Sequence, residues 1–185
     1  SSPFTVAGKY SPKKEDYANY LAPDGENFRG INAVRVLSEG NNYDLQKVIQ
    51  AGYDTRLTAF EVLVPALVNA YDKQIATSDT IYANLKETIT IFRNWDFRSG
   101  ENSVATTLAV MWGEKLLSKI NKNSNGLDQV EKTKEFAKNA NAWELVSPLL
   151  DVIKELQTNF GKWEMPWGEL NRFQRLNNNL TPSFN

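Results

Sequence analysis

Apolar residues recur at helical spacing along most of this chain, and the strict alternation of a half-buried strand is almost absent. The spacing predicts a first helix from about residue 27, with Phe28, Ile31, Val34 or Arg35, and Leu37 or Ser38 on one inward stripe, stopped by Gly40. A short helix follows over 44–51, with Leu45, Val48 and Ile49 inward and Gly52 ending it. Over 58–71, Phe60, Leu63, Val64, Leu67, Val68 and Tyr71 make a broad apolar stripe. Pro65 falls within it, leaves the Glu61 carbonyl without its helical donor, and should kink the helix or set its start nearby. The polar run 77–80 offers capping side chains for a helix through Ile81, Leu85, Ile89 and Phe92 to Trp95. Residues 104–120 carry Leu108, Met111, Trp112, Leu116 and Ile120 as another amphipathic helix. The charged, alanine-rich stretch 127–142 reads as a mostly exposed helix. Ser147 and Pro148 read as the cap and first residue of the last long helix, which carries Leu149, Leu150, Ile153 and Leu156 and ends at Gly161.

Outside these stripes the chain is irregular. Prolines 3, 12 and 23 and Gly8 punctuate the first 25 residues, where Phe4, Thr5 and Val6 fit a short strand and 13–20 a helical turn. Pro23-Asp24-Gly25 is a turn tripeptide, since proline presets φ, Asp bonds the chain ahead and Gly accepts positive φ. Two polar loops, 96–102 and 121–126, separate the later helices. After Gly161, Trp163, Pro166, Trp167, Leu170, Phe173 and Leu176 fit a short helix or an extended segment, and the last residues carry no core of their own. The fold class is mostly α, organised as an irregular arm over 1–25, a helical domain over 26–160 and a final segment over 161–185.

Composition narrows the chemistry. In 185 residues there is no histidine and no cysteine. Ser-His-Asp and Cys-His catalysis, imidazole bases and thiolate or imidazole zinc sites are therefore impossible within the chain. Lys and Arg number 21 against 22 Asp and Glu, with no long run of one sign. That balance disfavours nucleic acid or an anionic membrane as the main partner. No run of 18 apolar residues and no hydrophobic signal core is present, so a chain in aqueous surroundings is expected, with any targeting peptide already missing.

Few residues stand out as candidate chemistry. Arg29 falls in the first turn of the first helix, where a cation opposes the macrodipole, so a carboxylate, a buried carbonyl or a substrate outside the helix should compensate. A chain-terminal serine such as Ser1 can be a nucleophile activated by its own amine, or simply the first residue of a fragment. The carboxylate pairs Glu15-Asp16, Asp24-Glu26 and Glu164-Glu169 lack spacing that implies acid–base geometry and read as solvated surface. Trp95 and Trp112 read as core; Trp163 and Trp167, flanking a proline, read as partly exposed. Arg172 and Arg175, three apart, could grip a carboxylate or tie this segment to a neighbouring part of a larger protein.

The succession SSPF, ENFRGINAVRVL, NWDFRSGENSVATTLAVMWGEKLL and GKWEMPWGELNRFQRL resembles the penicillin acylase family of N-terminal-nucleophile amide hydrolases, over nearly the whole chain. The resemblance implies an α/β/β/α parent of which this chain is the helical portion, with few or no strands, and residues 161–185 leading back toward the catalytic sheet. It implies hydrolysis of an acyl–amine amide, as by penicillin or acyl-homoserine-lactone acylases, with the N-terminal Ser nucleophile and the oxyanion asparagine upstream of this stretch. A Ser-Pro step like Ser2-Pro3 follows that asparagine in the family, so the fragment alone would be inactive. Arg29 matches the arginine that supports the oxyanion asparagine and is the one site residue the resemblance transfers. Family members often hold calcium through an Asp ahead of that arginine; Asp16 and Asp24 are the candidates here, calcium is possible in the parent, and no metal ligand is assigned. The implied partners are the remaining catalytic sheet and α chain and a small acylated amine, in a periplasmic or extracellular setting. The competing reading is a stand-alone helical binding or interaction module without catalytic activity.

Overall fold

The computed structural model describes residues 2, 4–21, 25–40, 42–75, 85–122 and 126–172. Among them the fold is mostly helical and contains no sheet. The helices are α1 Phe28–Glu39, α2 Leu45–Gly52, α3 Phe60–Ile75, α4 Lys86–Arg93, α5 Val104–Asn121, α6 Gln129–Asn139, α7 Ala142–Phe160 and the single turn α8 Trp167–Leu170. Their starts follow from capping chemistry. The side chains of Asn27, Asp44, Ser103, Asp128 and Asn141 each accept a backbone N–H of the first turn of α1, α2, α5, α6 and α7. Glu131 and Glu144 return the bond to their caps as capping boxes. Gly161 closes α7 at φ 75°, a left-handed conformation that favours glycine.

The core lies between α3, α5 and α7, with α4 and α6 closing its sides. Leu63, Val64, Leu67 and Tyr71 of the α3 stripe are buried, and they face Leu145, Val146 and Leu149 of α7 within one cluster. Trp112, Leu108 and Leu116 of α5 complete it. Trp112 is fully enclosed, and its Nε1–H donates to the carbonyl of Leu145 at 2.8 Å.

That bond bears on the start of α7. The expectation that Ser147 and Pro148 open the last helix is wrong: α7 begins at Ala142, and Pro148 stands inside it. A proline has no N–H for the carbonyl four residues back. That carbonyl belongs to Glu144, and Lys119 Nζ supplies a donor to it at 3.3 Å. With Trp112 serving Leu145 beside it, α5 provides two donors where α7 carries its proline. The strong Asn141 capping box then sets the helix start six residues earlier than the Ser-Pro reading.

Two further expectations change. Residues 4–7 form turns rather than a strand, with Ser2 O accepting from Thr5 N and Val6 N. Leu45, Val48 and Ile49 of α2 face outward, with Leu45 73% exposed. Helical periodicity identifies an apolar face without saying what covers it, and among the described residues nothing does. Residues 77–84, with the capping run and Ile81, lie outside the described residues, as do Phe173 and Leu176. Trp112→Phe, which empties volume and removes the indole donor to the Leu145 carbonyl, should lower unfolding stability by about 2–3 kcal/mol; a urea melt showing a loss below about 0.5 kcal/mol would contradict this account of the α5–α7 contact.

Candidate functional site

The α1–α2 pair is attached to the bundle by charge rather than by burial. Asn32 is the one buried residue of α1, and α2 has none. The attachment begins in an aromatic cluster: Trp95 lies 5.7 Å from the ring of Phe60, 6.4 Å from Phe92 and 5.4 Å from Phe97. Trp95 Nε1–H donates to the Arg98 carbonyl at 2.9 Å, and Asp96 Oδ1 accepts the Arg98 N–H at 3.0 Å. The turn so pinned forces Phe97 to φ 61°, a conformation costing a residue with a Cβ about 1–2 kcal/mol. Leu57 N–H donates to Phe97 O at 2.7 Å and Ser99 N–H to Thr55 O at 2.9 Å, an isolated antiparallel bridge between Arg56 and Arg98.

That bridge places two carboxylates and three arginines together. Glu61 takes Arg35 in a two-pronged pair, Nη1 to Oε1 at 2.8 Å and Nη2 to Oε2 at 2.7 Å, and takes Arg56 Nη1 at 2.8 Å. Asp54 accepts Asn32 Nδ2 at 2.8 Å and the Arg56 N–H at 3.1 Å on Oδ1, and Arg98 Nη1 at 2.8 Å on Oδ2. The Asn32 bond, followed by those from Arg98 and the Arg56 N–H, holds the Asp54 carboxyl down to about 2. The Arg35 bond and then Arg56 lower Glu61, while Glu61 raises Arg35. These are structural perturbations: every oxygen of both carboxylates is occupied.

Held this way, α1 presents its N-terminal turn to a cleft of about 910 Å³, lined by Phe28, Arg29, Gly30 and Asn32 with Gly52, Asp54 and Arg56. Arg29 is exposed there, and it is the one arginine among the described residues that enters no ion pair. No acidic residue occupies the first turn of α1. The structural partner that a cation at this end calls for is thus not found among the described residues. What the arrangement can do is receive an oxygen-bearing anion or dipole from outside.

The other candidates are dispersed. Glu26 accepts the Ser2 N–H at 2.9 Å and the Thr5 hydroxyl, and its own N–H donates to Asp128 Oδ2 at 3.0 Å. This ties the arm to the start of α6, and a Cβ on Gly25 would come within 2.3 Å of the Asp128 Cβ. Asp16 is exposed in the 3-10 turn Lys14–Asp16, and Ser1, Asp24 and Arg175 lie outside the described residues. Among the described residues no three Asp or Glu side chains come together. Arg172 pairs with Glu169. Trp163 and Trp167 are half-buried, and α8 docks on the loop before α5 through Trp167 N–H to Ser103 O at 3.2 Å and Gly168 N–H to Glu101 O at 2.7 Å. No helix among the described residues is long and apolar enough to cross a membrane.

The sequence reading overlooked Asn32, Asp54, Glu61, Arg56 and Arg98. The available signal was Arg35, which falls on the inward stripe of α1 and so needed a buried acid. A family model described as penicillin amidase matches residues 3–184. No curated protein and no solved structure matches the chain. A carboxyl whose folded pKa lies below its unfolded value of 3.8 stabilises the fold fully above that value and loses the contribution as pH falls through about 2. Asp54→Asn should therefore destabilise by at most about 2 kcal/mol at neutral pH, and the gap should narrow between pH 4 and pH 2; urea melts showing a constant gap over that range would contradict the assignment.

Proposed function

The chain belongs to the penicillin amidase family, and from that premise we propose that it is the helical portion of an amide hydrolase of the penicillin or acyl-homoserine-lactone acylase type. The parent hydrolyses the bond between an acyl group and an amine. A chain-terminal serine outside this stretch attacks the carbonyl carbon, its own α-amine takes the hydroxyl proton, and the tetrahedral oxyanion is held by an asparagine side chain and a backbone N–H. The amine then leaves with a proton, and water releases the acyl group as a carboxylate. Within this scheme the arm over 1–25 leads from the catalytic sheet, 26–160 shapes the pocket, and 161–185 returns toward the sheet. A periplasmic or extracellular setting accompanies this reading.

The observation that carries it is Arg29: an exposed guanidinium with no ion pair among the described residues, at the N-terminal end of α1, beside an open cleft, on a helix held in place by Asp54 and Glu61. Placed against the oxyanion asparagine, it would add favourable charge where negative charge develops. The outward face of α2 supports the same reading. Leu45, Val48 and Ile49, with Tyr53 81% and Leu37 61% exposed, are greasy groups at the end of the molecule that carries Arg29. A covering layer supplied by the rest of an acylase accounts for them.

In the full-length processed enzyme, Arg29→Ala should raise the acylation barrier by about 2–4 kcal/mol, the loss typical of an oxyanion-side donor. A wild-type single-turnover rate would take Arg29 out of the site. The 185-residue chain alone, incubated with a chromogenic phenylacetyl or fatty-acyl anilide, should give no turnover. Hydrolysis by this chain alone would show that the nucleophile lies within it.

A further inference from the structure

The last turn of α5, one face of α6 and the first turn of α7 enclose a second cleft, of about 400 Å³, which lies within the size range of small-molecule sites. It shares no residue with the cleft beside Arg29. Lys132, Phe136 and Asn139 follow one another at spacings of four and three, so they stand on one face of α6. Lys119 and Ile120, in the last turn of α5, and Lys122 just past it line the cleft with them. Its floor is apolar. Ile120 is buried, and Phe136 and Ala140 are half-buried and packed against the core of the bundle, so the floor is as firmly built as the core itself.

The charges on the lining do not cancel. Lys119 and Lys132 are half-buried and Lys122 is exposed, and none of the three enters an ion pair among the described residues. Lys119 Nζ gives one N–H to the Glu144 carbonyl at 3.3 Å, which fixes the ammonium at the cleft and leaves its two other N–H groups to solvent or a ligand. Two acids also line the cleft. Glu144 accepts the Asn141 N–H on Oε2 as part of the α7 capping box, and Glu135, three residues from Lys132 on the same helix, makes no ion pair with it. A half-buried ammonium loses hydration, and here no counter-charge offsets the loss.

We infer that this cleft binds a small apolar carboxylate, with its hydrocarbon part on Ile120 and Phe136 and its carboxylate on Lys119 and Lys132. Each half of the ligand answers one half of the lining. A neutral apolar molecule would bury the floor but leave the ammonium groups with less water and no anion. An inorganic anion would meet the lysines but gain nothing from the apolar floor. The volume suits a small molecule, since a docked protein segment buries a far larger surface. The assignment stands on the bundle alone and does not depend on the amide-hydrolase reading.

The test titrates octanoate into the full 185-residue chain and follows the backbone amide NMR shifts. Octanoate should bind with a Kd of about 1 mM or tighter, and the largest shifts should fall at Ile120, Phe136 and Ala140. 1-Octanol, which keeps the hydrocarbon and lacks the charge, should bind about fivefold more weakly. Lys132→Gln should weaken octanoate about threefold and leave octanol unchanged. Raising NaCl from about 0.05 M to about 0.5 M should weaken octanoate and leave octanol no weaker. Should the Lys132 variant disturb α6, Lys122→Gln, at an exposed position, should shift the two ligands in the same unequal way. Equal affinity for the acid and the alcohol, or a Lys132→Gln loss shared by both, would reduce the cleft to a greasy surface and overturn the proposal. Largest shifts at Leu45, Val48 and Ile49 would move the binding to the open face of α2 and overturn it as well. An octanoate titration without saturable shifts up to about 10 mM would leave no site at all.

Discussion

Asp54 and Glu61 stand where the chain passes from α2 into α3, and their four oxygens receive the hydrogen bonds that join α1 to the helical bundle. Ion pairs of half-exposed side chains are individually weak, contributing about 0–1 kcal/mol each. Here they share atoms. Glu61 links Arg35 and Arg56, Asp54 links Asn32, Arg98 and the Arg56 backbone, and the Arg35 pair is two-pronged, so loosening one contact unsettles its neighbours. The aromatic packing of Trp95 and the unusual backbone of Phe97 aim Arg98 at Asp54. Core packing in the bundle thus reaches the N-terminal turn of α1 through a chain of polar contacts.

This division gives the two parts of the molecule different physics. The bundle is stabilised by interlocked apolar side chains from α3, α5 and α7, with Trp112 and Lys119 supplying donors where Pro148 interrupts α7. The α1–α2 pair contributes no buried apolar side chain to that core and leaves an apolar face open. An exposed arginine at a helix N-terminus, a wide cleft and a nearby greasy surface then occur together on the part of the molecule that is held by polar contacts.

The helices of the described residues and most of their core were legible because periodicity reports them directly. The stripes of α3 and α5 are buried much as their spacing requires, and Gly40, Gly52 and Gly161 mark helix ends. Misreadings arose where two local rules competed. Ser147-Pro148 has the composition of a helix start, yet the Asn141 capping box precedes it and α5 makes an internal proline tolerable through contacts 25 and 33 residues distant. The face of α2 was read as buried because spacing carries no information about coverage. Arg29 was visible as a cation at the wrong end of a helix, whereas Asn32 was not, since its bond to Asp54 exists only once the surrounding atoms are in place. The carboxylate tie was hidden for the same reason: its members come from four separate stretches, and only Arg35, on an otherwise apolar stripe, hinted that an acid had to meet it.

The mode of attachment of α1 carries a consequence for solvent conditions. Salts that are excluded from protein surfaces strengthen apolar burial, yet any added electrolyte screens half-exposed charges over distances near 10 Å at about 0.1 M. The bundle and the arginine-bearing helix therefore respond in opposite senses to the same electrolyte. High ionic strength would leave the scaffold firm while giving the helix that bears Arg29 more freedom to swing.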